Sequence, residues 1–330
     1  MHLRTVYFLF ILFFVPASVL AHDIGGGMLM DGFADIYHPI YEKTTDQNQF
    51  RFGQVEIDLE APVAEDIHFE AAIAFNPNEQ TFGVGAFLID FDIFGSQGRH
   101  MKSAFGIDHT GIAVGQMDVP FGIDWQVYPS PDRQLVSAPM IVEEAHGLWN
   151  DTGIEAYTTT SWFNVVGFLM NGFGYERTTV NNDTLQVETA RSMGARFGVM
   201  PHWRFEVGAS WAGFFNVDNA FDQQMIGADL QWNLDAFEIK GEYIYRETGL
   251  DLGENKTLDG WYGQVRYRLQ KLYGVARYGR YSPLIDSLDE PTRFSIGLGY
   301  VPKQSVQFRT EYQLNDPAED VLFLQVVVSF

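Results

Sequence analysis

Residues 320–330, DVLFLQVVVSF, run to the last position of the chain on a two-residue alternation. Leu322, Leu324, Val326, Val328 and Phe330 fall on one face of an extended strand, and Phe323, Gln325, Val327 and Ser329 on the other. A soluble C-terminus is ordinarily frayed and polar. An apolar strand ending on an aromatic is what the closing strand of a barrel needs when one of its faces meets lipid. The edge strand of a soluble sandwich would show the same alternation, so the rest of the chain has to decide between them.

The opposite end carries a different signal. Arg4 is the only charged residue before position 22, residues 6–15 are apolar, Pro16 breaks the run, and Val19 and Ala21 are small. This pattern predicts an export signal over 1–21, cleaved after Ala21, and a single domain over 22–330. The apolar run is too short to span a bilayer, and no later stretch approaches the ~20 residues of a membrane helix.

Composition narrows the class. The formal charge is −22, which argues against a nucleic-acid partner. Cysteine is absent, so an exported chain of this kind depends on its fold alone for stability. Mean hydropathy is −0.10; lumen-facing polar residues dilute lipid-facing apolar ones in a membrane barrel, so such an average hides the membrane signal. The 32 glycines suit curved strands packed closely inside a barrel, and the 15% aromatic content suits interfacial girdles.

Read from the start, the chain resolves into strands of about ten residues joined by alternating short and long connections. The expected strands cover 28–37, 50–59, 67–75, a fourth ending near 93, a fifth ending near 118, then 148–157, 162–173, 189–199, 203–215, 224–234, 237–246, 258–269, 272–281, 293–301, 306–313 and 320–330. Strands one, five and seven alternate poorly, and 95–109 reads either as a long turn or as an early start to strand five. The fold expected is an all-β, transmembrane, antiparallel up-and-down β-barrel of about 16 strands. Its short turns and both termini are periplasmic, and its longer loops face outward. Barrels of 16–18 strands leave an aqueous channel, so something must narrow it. The third outer connection, 119–147, holds Pro120, Pro129, Pro131 and Pro139, which forbid a regular strand, and it is expected to fold into the lumen.

Strand parity sorts the lumen charges. Asp31, Asp35, Glu56, Asp58, Glu70, Asp90, Asp92, Asp151 and Glu155 point inward from the first six strands, while arginines dominate the later ones. The expectation is an acidic wall facing a basic one, a field that sets pore selectivity. The acidic side of the constriction is assigned to Asp118, Asp124, Asp132, Glu143 and Glu144, and the basic side to Arg196, Arg266, Arg277 and Arg309. Mild cation selectivity follows, weakened by neutralising Asp124 or Glu143 and strengthened by neutralising Arg277 or Arg309.

The segment 115–122, GQMDVPFG, resembles the entry to the constriction loop in the phosphate-selective porin family and its relatives, and 151–157, DTGIEAY, is similar to the strand that leaves that loop. The overall plan resembles bacterial trimeric porins. The resemblance implies an outer-membrane location, a homotrimer, passive passage of ions and small hydrophilic solutes, and recognition by the barrel-assembly machinery through Phe330. Gln116 stands where a basic residue is common in the phosphate-selective members, and the entry half of the barrel is acidic. Pore architecture is therefore carried over and phosphate specificity is not; an anion- or phosphate-type channel is the alternative. No H-E-x-x-H pair, nucleophile elbow or phosphate-cradling glycine loop occurs. No metal, cofactor or catalytic residue is expected, and an outer-membrane barrel enzyme or a structural barrel or adhesin is the reading from another class.

Overall fold

The computed structural model describes residues 22–76, 81–93, 107–172, 175–180, 183–187, 189–202, 204–216, 221–249, 255–284 and 289–330. The export signal expected over 1–21 lies outside these residues, as does most of 95–109. Sixteen strands form the barrel: β1 (Met28–Tyr41), β2 (Arg51–Ala64), β3 (Ile67–Asn76), β4 (Thr81–Asp92), β5 (Ile107–Asp118), β6 (Asn150–Thr160), β7 (Phe163–Met170) and β8 (Thr189–His202) in the first half. The second half comprises β9 (Phe205–Asn216), β10 (Phe221–Leu234), β11 (Phe237–Gly249), β12 (Asn255–Leu269), β13 (Leu272–Ser282), β14 (Thr292–Lys303), β15 (Val306–Asp316) and β16 (Val321–Ser329). Each pairs antiparallel with the next. β16 returns to β1, from Val321 opposite Tyr41 to Ser329 opposite Phe33, so the sheet has no free lateral edge. Phe330 completes the seam: its N–H donates to the Gly32 carbonyl (2.9 Å), and the Gly32 N–H donates to its carbonyl (3.0 Å). A short strand, His22–Gly25, folds onto β1, and a hairpin of Tyr175–Val180 and Asp183–Val187 stands in the connection from β7 to β8.

The sixteen expected strands are all present, and the alternation in each has a physical outlet. Aliphatic side chains such as Val207, Ile226, Leu230, Val265, Ile296 and Leu298 are exposed on the outside. Many exposed aromatics lie toward the two ends: Trp162, Phe197, Trp232, Phe237 and Tyr300 near the short turns, and Phe50, Phe52, Phe82 and Tyr312 near the long loops. An apolar band between two aromatic rings matches the hydrocarbon core and its two interfaces. The two-residue turns at 235–236 and 270–271 place Asp235 (φ 48°) and Gln270 (φ 55°) in the left-handed region that tight hairpins use.

The three poorly alternating strands have separate causes. β1 carries a bulge between Ala34 and Ile36, where Asp35 turns its carboxylate to the Gln54 N–H (2.7 Å) and to Gln325 Nε2 (2.7 Å). β5 faces inward with Gly111, Ala113 and Met117, which give little polar signal. β7 is apolar on both sides because Phe168 and Met170 point inward against a core while Val165 and Leu169 point out.

That core lies inside the barrel, beneath the connection between β5 and β6. This loop leaves the wall at Val119, whose N–H still bonds the Trp149 carbonyl (2.8 Å), and turns into the lumen through a 3-10 turn at Asp124–Val127 and a short helix, α1 (Met140–His146). Val119, Phe121, Ile141, Val142, Ala145 and Trp149 are buried against Phe168, Phe214, Met225, Ile244, Leu258 and Tyr262 of the wall. Each large apolar side chain so buried contributes about 1.5–3 kcal/mol. The loop is a seated element with its own core, as the prolines and apolar residues of 119–149 require.

Candidate functional site

The loop's backbone poses an accounting problem. Prolines and irregular dihedrals leave its carbonyls without helix or sheet partners, and buried carbonyls must find donors. Arginine, with five donors and no acceptor, is suited to supply them. Arg277 donates through Nη2 to the carbonyls of Ser137 (3.0 Å) and Ala138 (3.1 Å) and to Ser137 Oγ (2.6 Å). Arg309 donates to the Pro131 carbonyl (3.1 Å), which also accepts from Gln307 Nε2 (2.8 Å). Arg246 donates to the Ala145 carbonyl (2.7 Å) at the C-terminal end of α1, where a cation is also favoured by the helix dipole. Glu311 completes the clamp, accepting from the Ser137 N–H (2.9 Å) and Oγ (2.8 Å) and lying 3.6 Å from Arg277.

Asp124 pairs with Lys240 across the loop–wall contact. Burial alone would raise the Asp124 carboxyl; the Lys240 ammonium holds it below its ordinary range. Gly122 meets two demands at once, with a φ of 69° and a position where any Cβ would run into the Glu242 carboxylate. Its N–H donates to Ser210 Oγ (3.0 Å).

The constriction residues expected from the sequence are thus distributed. Asp124, Asp132, Arg266 and Arg277 border a cavity of about 300 Å³ between the loop and the wall from β10 to β13. Arg266 lies 3.0 Å from Glu238. Glu143 and Glu144 sit on the exposed side of α1. Arg309 is under the loop, and Asp118 and Arg196 border a second, larger cavity of about 910 Å³. The arrangement differs from an acidic wall facing an arginine wall across open space: the loop lies against the arginine side, its carbonyls occupy Arg246, Arg277 and Arg309, and its Asp124 pairs with Lys240.

What the loop leaves open is the space against β2–β8. Glu56, Glu70, Asp90 and Glu155 line it from the wall. Ala72 of β3 and Ala113 of β5 keep the strands between these acids short of side chain. Tyr157 donates to Asp90 Oδ2 (2.7 Å) in room that Gly111 leaves. Nearby, Asp31 stands directly opposite Asp58 in the β1–β2 register, a like-charge juxtaposition that costs folding energy. The cation at the margin, Arg196, is 2.9 Å from Glu206 and 2.8 Å from Asp229 and is itself buried. Among the described residues, no three histidine or carboxylate side chains are placed to hold a metal ion. The acids form a row along the wall and not a chelating cage.

Sequence reasoning placed these acids inside but did not single them out, and it missed Lys240, Arg246, Ser210 and Glu311 as holders of the loop. Small inward residues on β3 and β5 were the available signal for the open side. Inward apolar residues on β7–β12, including Phe168, Phe214, Met225 and Ile244, were the signal for the covered side.

His146 is buried in the loop core, edge-on to Phe121 (centroids 5.6 Å apart), with Nδ1 3.5 Å from the Tyr128 hydroxyl. Burial lowers its pKa to about 4; Asp124 opposes the shift and Arg246 reinforces it. An imidazole in a loosened loop protonates near 6.5, the seated one only near 4. The seated loop therefore has its full advantage above pH 6.5 and loses about 1.4 kcal/mol per unit as pH falls from 6.5 to 4. Current flicker in single-channel recordings is expected to grow over that window and to be reduced in His146→Phe. Identical pH profiles for the two proteins would remove His146 from this role.

The chain matches no protein-family profile and no curated protein. Solved structures do match. An anion-selective porin from Comamonas acidovorans aligns with a TM-score of 0.66 at 12% identity, over 92% of this chain and 99% of that one. The trimer form of OmpT, an outer-membrane protein of Vibrio cholerae, aligns at 0.63 and 11%, over 92% and 99%. A mutant of the Rh. blastica porin aligns at 0.57 and 12%, over 92% and 100%. At such identities the likeness speaks for the fold, and the fold of this chain is the closed sixteen-stranded barrel of the bacterial porins.

Proposed function

We propose that the protein is an outer-membrane diffusion channel for ions and small hydrophilic solutes, selective for cations, and assembled as a homotrimer. The observation that carries this reading is the off-centre seating of the loop. It covers most of the arginine-bearing wall and leaves a cavity of about 910 Å³ whose wall charges are carboxylates apart from Arg196, which Glu206 and Asp229 pair at its margin. Rings or walls of one sign in a narrow pore select the opposite sign, and a formal charge of −22 adds a long-range attraction for cations. The trimer rests on the likeness to porins, of which the Vibrio cholerae protein is described in a trimer form.

Purified protein in a planar bilayer is expected to give stepwise KCl currents. In a salt gradient, the reversal potential is expected to carry the sign of cation preference. A silent bilayer removes the channel reading; an anionic sign removes the selectivity. An anion- or phosphate-selective channel is the second reading, favoured by the GQMDVPFG motif and by the match to an anion-selective porin. Against it, Arg277 and Arg309 bond loop carbonyls and Arg196 is flanked by two carboxylates.

A further inference from the structure

The larger cavity has two chemically different sides. The barrel wall presents Glu56, Glu70, Asp90 and Glu155, with its lining arginine, Arg196, paired with Glu206 and Asp229; the loop presents Trp125, Pro129 and Leu148, all half-buried and therefore still partly open to the space. An inorganic cation can use only the acidic side, and an anion is repelled by it. A cation that also carries an apolar or aromatic body finds attraction on both sides: carboxylates for its charge, and for its body an indole face and aliphatic surface that it covers from water. We propose that the passage favours monovalent organic ammonium ions bearing an apolar or aromatic group, with Trp125 and Leu148 as specificity-determining residues. This rests on the diffusion-channel reading and adds a solute class to it.

The experiment compares two probes, tetramethylammonium and benzyltrimethylammonium, by reversal potentials against potassium in planar bilayers holding the full-length barrel. Trp125→Ala enlarges the passage, so sieving by size alone raises the permeability of the larger ion relative to the smaller. Attraction to the indole predicts the reverse: the benzyltrimethylammonium-to-tetramethylammonium ratio falls roughly two- to five-fold in Trp125→Ala. It falls in the same direction in Leu148→Asn, which keeps side-chain size and serves if the first variant does not fold. A ratio that rises or stays level in both variants overturns the proposal while leaving the channel standing. Loss of KCl current from the wild-type protein instead overturns the diffusion channel itself, and the proposal with it.

Discussion

In the Arg277→Met protein the loop comes off the wall, and the bilayer conductance rises with it. Arg277 is the donor for two loop carbonyls and one hydroxyl, and it stands 3.6 Å from Glu311, which is fully buried. Removing one member of a buried charge pair costs about 3–5 kcal/mol, because the other charge is left without compensation. Applied to loop seating, that shifts the seated-to-loose ratio by roughly 10²–10⁴. The apolar core of Phe121, Ile141 and Trp149 opposes release, so the expected result is a mixture of states. Unit conductance is larger and noisier, and liposome swelling extends to sugars that the wild type excludes. Arg277→Lys keeps the charge but not the planar fork that reaches the Ser137 and Ala138 carbonyls together, so it falls between the two. Wild-type conductance and wild-type sugar exclusion in Arg277→Met would show that the loop does not depend on this clamp.

The second large effect concerns ion preference. Glu56→Gln, Glu70→Gln, Asp90→Asn and Glu155→Gln combined remove four of the carboxylates that line the open cavity while keeping side-chain shape, and leave Asp118 and the paired Arg196 and Glu206 in place. The reversal potential in a tenfold KCl gradient is expected to move toward zero by tens of millivolts, on a scale whose ideal limit is about 59 mV for a univalent ion. Asp124→Asn provides the contrast. Asp124 is buried and paired with Lys240 behind the loop, so its change acts on loop seating and shifts the reversal potential less. A quadruple variant with the wild-type potential would place the selectivity elsewhere in the lumen.

The barrel was legible because its signal is local. Alternation in residues such as 320–330 or 306–313 needs no partner to be seen, and turns such as LDAF and LQKL mark their own ends. The candidate site was legible only by sign. Parity correctly sent Glu56, Glu70 and Asp90 inward, yet which inward charges meet open space depends on where the loop lies. That is set by apolar packing of Phe121, Trp149 and Ile141 on Phe214 and Ile244. Arg277 and Arg309 read as pore charges because a sequence shows a cation and not the carbonyl that will occupy it. Asp35 does face inward as parity requires, but a sequence does not show the Gln54 N–H and Gln325 Nε2 that occupy its carboxylate.

The order of residues along the chain adds a constraint of timing. Most of the wall groups that fasten the loop come after it, from Ser210, 88 positions beyond Gly122, to Arg309, 178 positions beyond Pro131. A chain emerging from its N-terminus thus completes the stopper long before it completes the neck of the bottle. β9 to β11 offer Ser210, Lys240 and Arg246 first, and only when β13 and β15 join the cylinder do Arg277 and Arg309 reach the loop, so the last fastenings of the stopper fall close to the closing of the seam at Phe330.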